Sequence, residues 1–135
     1  AGSRYGYHVG APGAAVQEDL AETFRRECSR RGLRHGFYFS MERNFYLCRG
    51  FEGTACSRSV LRGQRNLTDE EFDAVSLALV TELWTRYGAL SEVWMDSGYS
   101  ARTKSRLRHL LRAYQPSAVG GRPGPTRTTH TLPGH

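Results

Sequence analysis

The 135-residue sequence lacks any long apolar segment, and its three cysteines are too few for a disulfide framework. No run approaches the roughly 18 apolar residues that indicate a membrane-spanning helix. Cys48 and Cys56 lie in one loop and could pair, but no second ligand pair accompanies them as a zinc site requires. We therefore expect no membrane segment and no metal, and a fold that depends on an ordinary hydrophobic core.

The sequence also lacks an initiator methionine, a signal-like apolar start and any Asp or Glu after Asp96. The first two absences predict a fragment or a processed piece of a longer protein. The length suits one domain, at roughly one domain per 150 residues. Because the chain becomes rich in Gly, Pro and Thr near its end, we expect a domain over residues 1–125 and a disordered tail over residues 126–135.

The net charge of +6 raises the hypothesis of a basic module that binds nucleic acid or another polyanion. The arginines are spread over two helical segments, however, and no recognised nucleic-acid motif accompanies them. We therefore predict no nucleic-acid partner and keep the polyanion-binding module as an alternative. No cluster of metal-ligand residues is present, so no cofactor is predicted.

Helical and extended patterns alternate along the chain. A four-residue period predicts a helix over residues 15–31, with a buried stripe of Val16, Leu20, Phe24 and Cys28. An aromatic strand follows within residues 33–40, and residues 41–65 have no period, which is typical of a long functional loop.

A second helix has the clearest predicted boundaries, because Thr68 and Glu71 form a capping box and Gly88 provides a stop. Its predicted buried stripe comprises Phe72, Val75, Leu79, Leu83 and Tyr87. A strand over residues 90–96, a basic helix over about 100–114 and a short strand within 117–120 complete the pattern.

This alternation predicts an α/β fold with parallel strands and right-handed crossovers. Two architectures fit: a small doubly wound sheet, or an arc of a (β/α)8 TIM-like barrel, which takes about 250 residues when complete. Three strands make a thin sheet for an independent doubly wound domain. The sequence therefore favours a partial barrel of about three β/α units.

The strand that ends at Asp96 is the most informative segment for function. Trp94 and Asp96 are two residues apart and so project from the same side of a strand. The carboxyl end of a parallel strand is where catalytic groups are presented, and an indole beside a carboxylate suits a sugar ring. The alternative is an Asp that only bonds free backbone N–H groups in a turn.

The same region resembles the fungal or algal type of α-L-fucosidase of glycoside hydrolase family twenty-nine. The likeness is carried by residues 63–71 (G-Q-R-N-L-T-D-E-E), 81–88 (T-E-L-W-T-R-Y-G) and 91–98 (S-E-V-W-M-D-S-G). Residues 31–40 and 115–119 are similar to two further segments of that family. The likeness covers roughly residues 3–125.

The resemblance implies a retaining glycosidase in which Asp96 is the nucleophile and Trp94 and Tyr38 bind the substrate, a fucosylated glycan or glycoside. A retaining enzyme also needs a second carboxyl group about 5–5.5 Å from the nucleophile. Glu82 and Glu92 are interpreted as surface charges and not as that acid. The family also implies a secreted, lysosomal or vacuolar protein.

Three departures from the family pattern matter. The family's paired histidines would precede Ala1, Ser97 replaces a glycine after the nucleophile, and no carboxylate follows where the acid/base segment should lie. We therefore expect a nucleophile without its general acid. A catalytically inactive remnant that at most binds carbohydrate is the second alternative.

Overall fold

The computed structural model describes residues 12–13, 15–41, 43–47, 64–96 and 99–120. Helices and strands alternate in these ranges: α1 (Leu20–Arg30), β1 (Gly36–Ser40), α2 (Asp69–Arg86), β2 (Glu92–Asp96), α3 (Ala101–Tyr114) and β3 (Val119–Gly120). The strands form one parallel sheet in the order β1-β2-β3. The predicted α/β class and the parallel strand direction are confirmed.

The pairing of β1 with β2 depends on a close approach at Gly36, which lies opposite Glu92. A Cβ atom at position 36 would overlap the carbonyl oxygen of Glu92, so only glycine fits without a shift of the backbone. Just before this pair, the backbone N–H and the hydroxyl of Ser91 both donate to the carbonyl oxygen of His35, at 2.8 and 2.9 Å. These contacts fix where the two strands begin to pair.

Helix α2 begins as predicted. The Thr68 hydroxyl accepts a hydrogen bond from the Glu71 N–H at 3.2 Å, and the Glu71 carboxylate accepts one from the Thr68 N–H at 2.9 Å. These two bonds satisfy two N–H groups that a helix start leaves without partners. Gly88 follows the helix with a positive φ of 76°, as expected of a residue that ends a helix.

The buried face of α2 differs from the predicted stripe. Phe72 is buried and Tyr87 lies in the core just after the helix, but Val75, Leu79 and Leu83 are only half-buried. The other buried positions of the helix are Ser76, Val80 and Trp84. Apolar residues occur on more than one side of α2, so their pattern does not define a single buried face.

The core lies between β2 and the pair of helices α2 and α3. Val93 of β2 is 2% exposed and packs with Val80 and Trp84 from α2 and with Leu107 and Leu110 from α3. The partly buried Phe37, Phe39 and Met95 pack against the same cluster. The odd-numbered strand residues therefore face the helices, and the even-numbered ones face the opposite side of the sheet.

Helix α1 is shorter than predicted and its stripe is largely exposed. It begins at Leu20, because Asp19 is the N-cap and its carboxylate accepts a hydrogen bond from the Glu22 N–H at 3.1 Å. Cys28 is buried as predicted, whereas Val16, Leu20 and Phe24 are 42–49% exposed. The prediction of a buried stripe is wrong because β1 is the edge strand of the described sheet, so no further strand–helix unit of the described ranges covers this side of α1.

Gln115, the C-cap of α3 just beyond the helix predicted over about residues 100–114, joins three elements. Its side-chain amide donates to the carbonyl oxygens of Trp84 and Gly88 at 2.7 and 2.9 Å. Its side-chain oxygen accepts from the Leu90 N–H at 2.8 Å. Because Gln115 is only 5% exposed, these bonds satisfy a buried amide, and they tie the end of α2 and the start of β2 to the end of α3.

Some predictions lie outside the described residues. These are the Cys48–Cys56 pair, most of the loop over 41–65, the turn at Ser97 and the tail over 126–135. Within the part of the chain that the structure describes, no helix is both long and apolar enough to cross a membrane.

We expect Gly36→Ala to destabilise the chain by about 1–3 kcal/mol, as overpacking does, because the new Cβ must push β1 away from Glu92. Gly120→Ala is the matched control, since its Cβ would meet only the Leu111 Cδ2 atom at 3.8 Å. The control should change stability by less than about 0.5 kcal/mol. Urea unfolding followed by circular dichroism measures both, and equal effects of the two variants would contradict the close approach.

Candidate active site

The site lies at the carboxyl ends of β1 and β2, on the face of the sheet that is turned away from the helices. In the parallel register Tyr38 is opposite Trp94, and Ser40 is opposite Asp96. Alternation along each strand places all four side chains on this face. The structure thus brings together Tyr38, Trp94 and Asp96, the three residues that sequence reasoning selected.

Tyr38 and Asp96 are joined directly. The Tyr38 hydroxyl donates a hydrogen bond to the Asp96 Oδ2 atom at 2.9 Å. The rings of Tyr38 and Trp94 meet edge to face, with centroids 6.0 Å apart and planes at 85°. Tyr38 is 54% exposed and Trp94 58%. Two large aromatic side chains therefore stand open to solvent beside a carboxylate, where the apolar face of a ligand could stack on them.

The carboxylate changes the acidity of its neighbour. The hydrogen bond to Asp96 raises the pKa of the Tyr38 hydroxyl above its usual value of 10.0, and burial acts in the same direction. The Ser40 hydroxyl, which lowers this pKa, opposes the shift only in part. Tyr38 consequently stays protonated through the neutral range and remains a hydrogen-bond donor to Asp96.

Ser40 was not selected as a site residue, although its hydroxyl lies at the same edge. It accepts a hydrogen bond from the Arg43 N–H at 3.2 Å and so holds the backbone that leaves β1. Their two-residue spacing places Tyr38 and Ser40 on one face of the strand, but this spacing alone assigns Ser40 no role. The pairing of Ser40 with Asp96 depends on the register of the two strands, which the sequence pattern does not reveal.

The two glutamates that sequence reasoning set aside lie away from this edge. Glu92 begins β2, so along the strand it is roughly 13 Å from Asp96, four steps of about 3.3 Å. That exceeds the roughly 5–5.5 Å between the two carboxyl groups of a retaining glycosidase. Glu82 lies on α2 and forms an ion pair with Arg86 at 2.7 Å. Neither position suits an acid partner for Asp96.

The described residues contain no group of three or more His, Cys, Asp or Glu side chains that could hold a metal ion. What they offer is an aspartate held by a phenol donor and bordered by an indole. This arrangement can orient a carboxylate toward an electrophilic carbon of a ligand that stacks on the aromatic rings.

The fold of the chain is similar to that of known structures. No protein-family model and no curated protein sequence matches the chain. Solved structures of α-L-fucosidases do match it. At identities of 18–23% the likeness concerns the fold: the chain has the fold of part of an α-L-fucosidase.

Three of these structures show the extent of the match. The α-L-fucosidase AlfC from Lactobacillus casei aligns with 79% of this chain at a TM-score of 0.64 and 20% identity. A variant of AlfC in complex with Fucα(1,6)GlcNAc also aligns with 79% of this chain, at a TM-score of 0.64 and 18% identity. A candidate α-L-fucosidase from Bacteroides thetaiotaomicron aligns with 82% of this chain, at a TM-score of 0.59 and 23% identity. This chain spans only 37%, 38% and 27% of those chains, respectively.

The Tyr38–Asp96 hydrogen bond makes a prediction for titration. In Asp96→Asn the negative charge that disfavours the phenolate is gone, so the pKa of Tyr38 should fall toward 10.0. Tyr87 is the internal control: burial and a hydrogen bond to Asp19 raise its pKa to about 12. NMR of ¹³C-labelled tyrosine across the alkaline range measures both groups. An unchanged Tyr38 titration in Asp96→Asn would contradict the contact.

Proposed function

We propose that this chain forms part of the catalytic barrel of a retaining α-L-fucosidase and that Asp96 is the nucleophile. The observation that carries the proposal is the hydrogen bond from Tyr38 to Asp96 at the carboxyl edge of the parallel sheet, beside the exposed Trp94. The fold shared with α-L-fucosidase structures supports it.

The arrangement of the helices supports a partial TIM-like barrel over a doubly wound sheet. The strands follow one another in chain order, and α2 and α3 contribute to one core on a single face of the sheet. Phe24 of α1 contacts the ring of Phe37, which points to that same face. A barrel has its helices on one side only, whereas a doubly wound sheet reverses its strand order and has helices on both sides.

The proposed reaction has two steps, both at the anomeric carbon of the fucoside. A carboxylate oxygen of Asp96 attacks the anomeric carbon of the fucoside, the bond to the leaving oxygen breaks, and a glycosyl ester forms. Water then hydrolyses this ester with overall retention of configuration. A second carboxyl group, which the described residues do not supply, would protonate the leaving oxygen and then activate the water.

Tyr38 and Trp94 have distinct roles in this proposal. Trp94 provides an apolar wall on which one face of the sugar ring stacks. Tyr38 fixes the orientation of the Asp96 carboxylate before the reaction, and its bond weakens as the charge passes into the ester. Because AlfC structures hold Fucα(1,6)GlcNAc and a 4-nitrophenyl fucoside, we propose a fucosylated glycan or glycoside as the substrate class.

A sugar-binding remnant without catalytic activity is the second candidate. It is favoured by one observation, namely that the sequence has no Asp or Glu after Asp96 and so no carboxyl group in the place of the family's acid. Both candidates bind a sugar at the aromatic surface, but only the first cleaves the glycosidic bond. Hydrolysis of a 4-nitrophenyl α-L-fucoside by the full-length protein that carries this segment distinguishes them.

In that full-length protein, Asp96→Asn should lower turnover of a 4-nitrophenyl α-L-fucoside by about 10⁴-fold or more, since the amide keeps the shape and removes the attacking charge. In Asp96→Ala, whose shortened side chain leaves room beside the anomeric carbon, azide should partly restore turnover by attacking that carbon, with a fucosyl azide as the product. The release of 4-nitrophenol and the formation of fucosyl azide are measured in the same reactions.

Glu27→Gln is the matched control, because Glu27 is a solvent-accessible carboxylate near the end of α1, on the helix side of the sheet and away from Asp96. It should leave turnover within about threefold of the unmodified protein, as expected of a surface charge away from the site. Near-normal turnover of Asp96→Asn, or an equal loss in both variants, would remove Asp96 from the role of nucleophile.

A further inference from the structure

Helix α3 has a charge distribution unlike that of α1 and α2. Its 14 residues contain no Asp or Glu, and five of them are cationic: Arg102, Lys104, Arg106, Arg108 and Arg112. On the side toward α2, Arg102 is neutralised by Asp73 at 2.7 Å and lies near Glu70 and Asp69 at 3.6 and 3.8 Å.

The outward side of α3 has no such compensation. Within the described residues, no carboxylate forms an ion pair with Lys104, Arg108 or Arg112. These three residues recur every four positions, so they form one row with a rise of about 6 Å per step and about 12 Å in all. The row borders a shallow trough of about 500 Å³, lined by Ala101, Lys104, Ser105, Arg108, His109 and Arg112.

The row is unfavourable for the helix by itself, because like charges at i,i+4 repel each other. On α1 and α2, by contrast, several arginines pair with a glutamate three or four positions earlier, as in Arg30 with Glu27 and Arg86 with Glu82. A run of uncompensated cations along an exposed helix is complementary to a linear polymer with repeated anionic groups.

We propose that the α3 trough binds an anionic polysaccharide, whose sulfate or carboxylate groups lie along the row of Lys104, Arg108 and Arg112. The choice of a polysaccharide rests on the fucoside-hydrolase function proposed above. The lining itself also favours it over single-stranded nucleic acid, because none of its described residues is a Phe, Tyr or Trp on which bases could stack. The trough is on the helix side of the sheet and Asp96 on the opposite side, so polymer binding and bond cleavage use separate surfaces.

The test compares two double variants of equal charge. Arg108→Gln/Arg112→Gln neutralises two cations at i,i+4 on α3, and Arg26→Gln/Arg30→Gln neutralises two exposed cations at the same spacing on α1. Binding of fluorescein-labelled dextran sulfate, unmodified dextran and a short DNA duplex to the 135-residue chain is measured by anisotropy at several salt concentrations. Circular dichroism confirms that each variant is folded.

We expect the chain to bind dextran sulfate, to ignore neutral dextran, and to lose affinity as salt rises, since bound counterions are released on association. The α3 variant should bind dextran sulfate at least about tenfold more weakly, and the α1 variant within about twofold of the unmodified chain. The α3 variant should also melt at an equal or higher temperature, because its i,i+4 repulsion is removed.

Three outcomes would overturn the proposal. If the two double variants lost affinity for dextran sulfate equally, only the net charge of the chain would matter. If the unmodified chain did not bind dextran sulfate at low salt, the trough would hold no polyanion. Tighter binding of duplex DNA than of dextran sulfate, lost in the α3 variant, would make the partner a nucleic acid. Because no arm depends on hydrolysis, failure here leaves the role of Asp96 untouched, and an inactive full-length protein leaves the trough untouched.

Discussion

The parallel pairing of β1 with β2 is the constraint on which the candidate site depends. Side chains of a strand alternate between two faces, so a register slip of one residue would turn Tyr38 toward the helices and away from Asp96. Two features hold the register: the lack of a Cβ at Gly36, and the two hydrogen bonds from Ser91 to the His35 carbonyl oxygen. The relative position of Tyr38 and Asp96 at the carboxyl ends of the two strands is therefore set by backbone contacts at their amino ends.

The two faces of the sheet differ in what packs against them. One face presents Val93 and its neighbours to α2 and α3, and the Gln115 side chain locks the ends of these helices to the start of β2. The other face leaves Tyr38 and Trp94 more than half exposed at the carboxyl edge. Because apolar burial stabilises the first face, the second can keep aromatic and acidic side chains open to solvent.

Local signals in the sequence predicted local structure well. The Thr68–Glu71 capping box, the end of α3 before Pro116 and the strand that ends at Asp96 all depend on residues within one turn or strand, and all are confirmed. Burial was harder to predict, because it depends on what packs against an element. Phe24 lies on a regular apolar stripe but is 49% exposed, since the described sheet ends at β1.

For the site, sequence reasoning selected Tyr38, Trp94 and Asp96 but did not foresee that Tyr38 donates a hydrogen bond to Asp96. That contact joins residues 58 positions apart and requires the register of two strands, which no pattern within either strand encodes. The predicted end of the basic helix near residue 114 gave Gln115 no role. Its three hydrogen bonds depend on the tertiary approach of α2 and β2 and leave no periodic signature in the sequence.

We propose that Asp96 attacks the anomeric carbon of a fucoside, and covalent trapping tests this proposal most directly. The full-length protein is incubated with a 2-deoxy-2-fluoro-fucosyl fluoride, which slows hydrolysis of the glycosyl ester, and is then digested and sequenced by tandem mass spectrometry. We expect a fluorofucosyl ester on Asp96 that forms in step with loss of activity. A stable adduct on any other residue, with Asp96 unmodified, would contradict it.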